Sequence, residues 1–202
     1  MSKAELFQYI YHGSEERNLE YKKSMSWNNA PTKAKVVKSC IAMSNIPDGG
    51  VIVFGVDEMS HGNFQANGMD PEDAKSFNQD DIQDYVNGFA DPYVGLKVDR
   101  VVDKGKEFVV IQIREFAEMP IVCKKPGEEG LQRGGVYTRP RRKHETVLVS
   151  SQTEMRELLD LAIDKQIRKY REKMFRWGVL PRTPSPEEIA GSKFKEQRGD
   201  FE

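Results

Sequence analysis

Cysteine and histidine are scarce: Cys40, Cys123, His12, His61 and His144 are all that 202 residues contain. Two thiols cannot build a disulfide framework, and the scattered histidines give no Cys/His spacing for zinc. No apolar run approaches the ~20 residues that a bilayer-crossing helix needs, so no membrane association is expected. The opening residues, MSKAELFQYIYHG, show neither a basic n-region nor a small-residue cleavage site. No secretory signal is therefore expected, and the cytoplasm is the expected address. Charge of one sign is missing too: 31 Lys+Arg against 32 Asp+Glu leave a net charge of −1. That excludes a uniformly basic nucleic-acid binder and makes the placement of basic residues decisive.

What remains is an ordinary globular composition, 38% hydrophobic and 31% charged, of a length suited to one domain with an appendage. Ser2-Lys3-Ala4-Glu5 has capping-box spacing and opens a short helix through Leu6, Tyr9 and Ile10 that Gly13 stops. Between Asn18 and Ser24 the chain alternates, with Leu19 and Tyr21 pointing one way and Glu20 and Lys22 the other, as in a half-buried strand. A second helix is predicted from Pro31-Thr32 through Val36, Val37, Cys40 and Ile41 to about Asn45. The turn Pro47-Asp48-Gly49-Gly50 leads into Val51-Ile52-Val53-Phe54-Gly55-Val56, whose unbroken apolar, β-branched character marks a central strand covered on both faces. Residues 57–78 read as a polar loop with one extended piece. A helix over 81–89, a hairpin of 96–102 with 107–115, and short strands at 121–123 and 136–139 follow. Ser151-Gln152-Thr153-Glu154 opens the longest helix, amphipathic through Met155, Leu158, Leu159, Ala162, Ile163, Ile167, Tyr170 and Met174. The expected fold is α/β (α+β): a mixed, largely antiparallel sheet with packed helices, in a domain over 1–148. A C-terminal helix over 149–178 serves packing or dimerisation, and a mobile tail covers 179–202.

Three stretches form a distinctive ordered set: Glu15-Glu16-Arg17-Asn18-Leu19-Glu20-Tyr21-Lys22, then Ile41-Ala42-Met43-Ser44-Asn45, then Asp48 through the Gly49-Gly50 turn to Gly55-Val56-Asp57. Gly68, the strand 108–113, Pro120, Tyr137 and Arg139 fit the same pattern. The set resembles the Schlafen AlbA-like domain over roughly residues 14–145. The resemblance implies a nucleic-acid-binding protein. Through the Schlafens proper it also implies a metal-dependent endoribonuclease acting on RNA such as tRNA, with an acidic triad at Glu15, Glu20 and Asp57. Glu16 and Glu58 are neighbouring alternatives for two of the three. Relatives that look like transcription regulators keep the Glu–aromatic–Lys word as well, so the word alone does not make a nuclease. Animal Schlafens join two such lobes, whereas this chain has one. A homodimer is the expected substitute.

The chemistry follows from the residue types. Convergent carboxylates of Glu15, Glu20 and Asp57 would take Mg²⁺ or Mn²⁺, with Lys22 on the same strand face as Glu20 as an electrostatic helper. A surface Glu20–Lys22 pair is the simpler alternative. The Gly49-Gly50 turn lacks P-loop spacing and precedes a strand rather than a helix, so no nucleotide cofactor is expected. Arg139, Arg141, Arg142 and Lys143 form the densest basic run and, with Lys35 and Lys38 on the second helix, are the candidate phosphate contacts. The ligand class, RNA or DNA, stays open, as does an assembly role built on the terminal helix.

Overall fold

Alternation at Leu19–Lys22 produces β1, an edge strand with Leu19 and Tyr21 in a hydrophobic core and Glu20 and Lys22 on the opposite face. Residues 1–60 and 62–179 are described in this computed structural model, so His61 and the expected tail beyond Val179 lie outside it. The chain divides into two compact units, Met1–Ala162 and Ile163–Glu202.

In the first unit β1 pairs in parallel with β2 (Gly50–Phe54), Glu20 opposite Ile52 and Lys22 opposite Phe54. The connection between them is α2 (Ala30–Ser44), started by the Asn29 side chain accepting the Thr32 N–H at 3.2 Å, with Pro31 in its first turn. The hairpin strands β6 (Leu96–Asp103) and β7 (Lys106–Ile113) complete the sheet, giving the order β1-β2-β7-β6 with only the first pairing parallel. The expected mixed, mainly antiparallel sheet with packed helices is the fold observed.

Both faces of β2 are covered, which is why its sequence is apolar throughout. Ile52 and Phe54 pack with Val36, Val37, Cys40 and Ile41 of α2 in the larger core. Val51 and Val53 join Leu19, Tyr21 and the helix α1 (Lys3–Ile10), through Leu6 and Ile10, in the smaller one. Each such buried side chain contributes roughly 1.5–3 kcal/mol. At the entry to β2 the backbone of Gly49 has φ +73°, and a Cβ there would lie 2.1 Å from the Ile113 carbonyl oxygen. Only glycine permits this crossing.

The polar stretch after β2 differs from the expected loop. It folds into a hairpin of β3 (Val56–Ser60) with β4 (Asn63–Ala66) and a five-residue helix α3 (Pro71–Lys75) capped by Asp70. The hairpin is exposed on much of its surface, so its sequence carries little hydrophobic alternation. Helix α4 (Gln79–Asn87) buries Ile82 and Val86. Two-residue strands β5 (Ala90–Asp91), β8 (Val122–Cys123), β9 (Tyr137–Thr138) and β10 (Val147–Leu148) pair as β5–β8 and β9–β10. They are fixed to the sheet layer by Asn45, the C-cap of α2. Its buried amide donates to the Ile121 and Tyr137 carbonyls, each at 2.9 Å, and accepts the Ile121 N–H at 2.7 Å.

The long helix α5 (Gln152–Arg176) forms as predicted, but its apolar stripe does not pack as a core face. Leu158 and Ala162 are buried, whereas Met155, Leu159, Ile163, Ile167, Tyr170 and Met174 are exposed. Among the described residues no helix is long and apolar enough to cross a membrane.

Candidate functional site

Because Glu20 and Lys22 share the β1 face that carries the α2 core, they are delivered into a cavity of about 290 Å³ between β1, α2 and the chain after β9. Lys35, Lys38 and Ser39 line it from α2, and Arg139, His144 and Thr146 from the C-terminal side. Lys35 and Lys38, three residues apart, occupy neighbouring positions on one helix face.

At its floor lies a buried charge cluster. The Arg139 guanidinium, 1% exposed, donates from Nη1 to Glu20 Oε2 at 2.5 Å. Its Nη2 donates to the carbonyls of Glu16, at 3.3 Å, and His144. Lys22 closes on the other Glu20 oxygen, so each carboxylate oxygen holds one cation. Burial alone would push the Glu20 carboxyl up, but the Lys22 and Arg139 charges outweigh it and hold the group below the usual carboxylate range. Glu15 has the opposite balance. Burial raises its carboxyl, the Tyr21 N–H it accepts at 2.9 Å works the other way, and the Glu20 charge adds to the rise.

This geometry corrects one expectation for Arg139. It is not an exposed phosphate contact; it is the internal counter-ion of Glu20, since an unpaired carboxylate at that depth would be costly. Its position is set in turn by Arg17, whose Nε donates to the Arg139 carbonyl at 2.5 Å and whose Nη1 pairs with Glu157 at 2.7 Å. Arg141 shares Glu157 at 3.2 Å while remaining largely exposed. Lys143 pairs with Glu145 at 3.2 Å, and Arg142 is exposed. Lys38 donates to the Glu129 carbonyl at 3.3 Å and lies over the Tyr137 ring, and Lys35 stands 3.7 Å from the Glu129 carboxylate. Two polar atoms of the lining, Arg139 Nε and Thr146 Oγ1, are buried without a hydrogen-bond partner.

The expected acidic triad is not brought together. Glu15 and Glu20 line the cavity; Asp57, on β3, does not, and its carboxylate accepts from Asn67 at 2.7 Å. The neighbouring alternatives fare no better, because Glu16 pairs with His12 at 2.8 Å and Glu58 accepts the Gly62 N–H at 3.2 Å. Among the described residues no group of three His, Cys, Asp or Glu side chains is placed to hold a metal ion. With both Glu20 oxygens already committed to cations, this donor set does not fit Mg²⁺ or Mn²⁺, which need several free oxygen ligands.

Sequence reasoning missed Arg17, Ser39, Thr146 and Glu157. Arg17 stood inside the Glu15–Lys22 word and was open to discovery there. Nothing in the local sequence marks Glu157, whose role depends on two arginines far away in the chain.

The fold and cavity define a class: an α/β domain with a parallel β1–α2–β2 unit and a buried Glu–Arg–Lys cluster at its sheet edge. The Schlafen, AlbA_2 family pattern matches residues 15–147, most of the chain, and the chain belongs to that family. Among solved structures it is similar to the DIP2311 protein of Corynebacterium diphtheriae, at 16% identity and a TM-score of 0.49 over 76% of this chain. The match spans 27% of the length of that protein. It is also similar to the N-terminal domain of an ATP-dependent DNA helicase RecG-related protein from Nitrosomonas europaea. Here the identity is 23% and the TM-score 0.46, over 66% of this chain and 88% of that domain. No curated protein matches the chain.

Proposed function

We propose that this domain binds nucleic acid through phosphate groups, at the cavity mouth formed by Lys35 and Lys38 with the adjoining turn Arg141, Arg142 and Lys143. The observation that carries the reading is the convergence of basic residues from distant parts of the chain on one cavity, Lys22, Lys35 and Lys38 from one side and Arg139 and His144 from the other, with Arg141, Arg142 and Lys143 in the turn between those two. Family membership supports the same reading. Thr146 Oγ1, buried in the lining without a hydrogen-bond partner, gives an entering anionic oxygen a donor. The four acidic residues of the lining, Glu15, Glu20, Glu129 and Glu145, keep the site from being uniformly attractive. Binding is accordingly expected to be moderate, with the exposed Arg142 supplying charge at the rim.

The test is fluorescence anisotropy with tRNA, single-stranded DNA and duplex DNA across a salt series. Binding should weaken as salt rises, and the combined Lys35→Ala, Lys38→Ala, Arg142→Ala protein should lose affinity for every sequence. Its log–log salt slope should fall by about 2–3, one for each phosphate contact removed. Salt-insensitive binding, or a triple variant indistinguishable from the parent, would refute the assignment.

Metal-dependent RNA cleavage by Glu15, Glu20 and Asp57 would require Glu20 to leave Arg139 and Lys22, and Asp57 to leave Asn67. Incubation of the same nucleic acids with Mn²⁺, Mg²⁺ or EDTA on a denaturing gel, with Glu20→Ala as control, tests that separately from binding. The binding reading expects intact strands in every lane.

A further inference from the structure

Within the second unit, Ile163, Ile167, Tyr170, Met174 and Trp177 recur at alternating spacings of four and three residues, the period of a coiled-coil seam. All five are exposed, from 40% for Met174 to 72% for Trp177. Contiguous large apolar side chains along a helix, left open to water, mark an interaction surface. We propose that this seam pairs with the same seam of a second copy of the chain, with the two helices antiparallel.

Charge decides both the partner and the direction. Past the middle of α5 the sequence is mainly basic, with Lys165, Arg168, Lys169, Arg171, Lys173 and Arg176 against Glu172, while Asp160 and Asp164 precede it. A parallel, in-register pair sets one basic half against the other along its whole length, which is repulsive. Reversing one helix places Ile167 of one copy against Tyr170 of the other, and Ile163 against Met174. The same register sets Asp164 beside Arg171 on the flank, twice, by two-fold symmetry. Such an isologous contact is self-complementary and closed. Two seams of five large apolar side chains carry on the order of 1,000 Å² of surface, about where specific interfaces begin. Self-association is therefore expected to be concentration-dependent rather than permanent.

Sedimentation velocity of the full chain over a concentration series is the test. A monomer–dimer equilibrium is expected, and Ile167→Asp should shift it to monomer with the circular-dichroism spectrum retained, because Ile167 is exposed. Asp164→Arg and Arg171→Asp should each weaken association about tenfold, two flanking pairs turning from attraction to repulsion. Together in one chain they should restore it. Under oxidation, a protein carrying both Ile163→Cys and Met174→Cys should cross-link through the dissimilar positions, and one carrying Ile163→Cys alone should not. A chain that stays monomeric throughout overturns the proposal. So does cross-linking through Ile163→Cys alone, or a dimer indifferent to Ile167→Asp.

Discussion

Replacing Arg139 with methionine keeps much of the side-chain volume but takes away the guanidinium that faces Glu20. One Glu20 oxygen then keeps Lys22 and the other is left buried without its 2.5 Å donor. Removing one partner of a buried ion pair costs about 3–5 kcal/mol, because the remaining charge stays desolvated. Lys22 still offsets part of the Glu20 charge, which pulls the value toward the lower end. The His144 carbonyl also loses its donor, at about 1 kcal/mol, whereas the Glu16 carbonyl keeps the Leu19 N–H at 3.2 Å. A loss of about 4 kcal/mol is expected. Urea unfolding followed by fluorescence of the buried Trp27 reads it, as a lower midpoint with an unchanged m-value. Glu20→Gln makes the cycle complete. If the two groups act as a pair, the double variant should be less destabilised than the summed singles by about 2 kcal/mol. An Arg139→Met loss under about 1 kcal/mol, or simple additivity in the cycle, would show that the cluster is not a coupled unit.

Two further outcomes are expected. Asn45→Ala should remove about 3 kcal/mol and lower the melting temperature by about 10 °C, since it orphans the Ile121 N–H and the Ile121 and Tyr137 carbonyls in one step. A calorimetric shift of only a degree or two would contradict it. The two carboxylates of the cavity should give opposite pH responses. Glu20 titrates below its ordinary 4.5 in the folded chain, so its stabilisation is present above that pH and is lost as pH falls through the folded value. Glu15 titrates above 4.5, so the folded state loses stability as pH rises from there through the folded value. Glu15→Gln, which keeps an acceptor for the Tyr21 N–H, should therefore raise the melting temperature at pH 7 and leave it unchanged at pH 3. Equal shifts at both pH values would refute this account.

Much of the fold could be read from the chain because its central elements obey simple periods. The alternation at Leu19–Lys22, the apolar run into Phe54 and the helix ending in Asn45 each leave a local pattern. So does the β6–β7 hairpin. The short strands β5, β8, β9 and β10 are two residues long, too short for any period, and are held by tertiary partners such as Asn45. The β3–β4 hairpin is polar on much of its surface and reads as loop. At the site, Glu20, Lys22, Lys35 and Lys38 were legible as residue types on strand and helix faces. Arg139 was legible as a basic residue but not as a buried one, because its burial depends on Glu20, 119 positions away. The apolar positions of α5 had helical spacing, which fixes which residues share a face but not whether that face is covered.

The Arg17–Arg139–Glu157 contacts have a consequence in time. Arg17 reaches Glu157 across 140 positions, and Arg139 reaches Glu20 across 119. Loops of that span close late and at an entropic cost, after local helices and hairpins have formed. On the ribosome the residues of the cavity's near wall emerge first and wait for nearly the whole domain to be synthesised before their far wall exists. A chain stopped after β10 would keep its sheet strands yet lack Glu157, leaving Arg17 and Arg141 without the carboxylate they share. The cavity thereby reports that synthesis has run into α5: only a chain extended that far presents the finished surface to a partner.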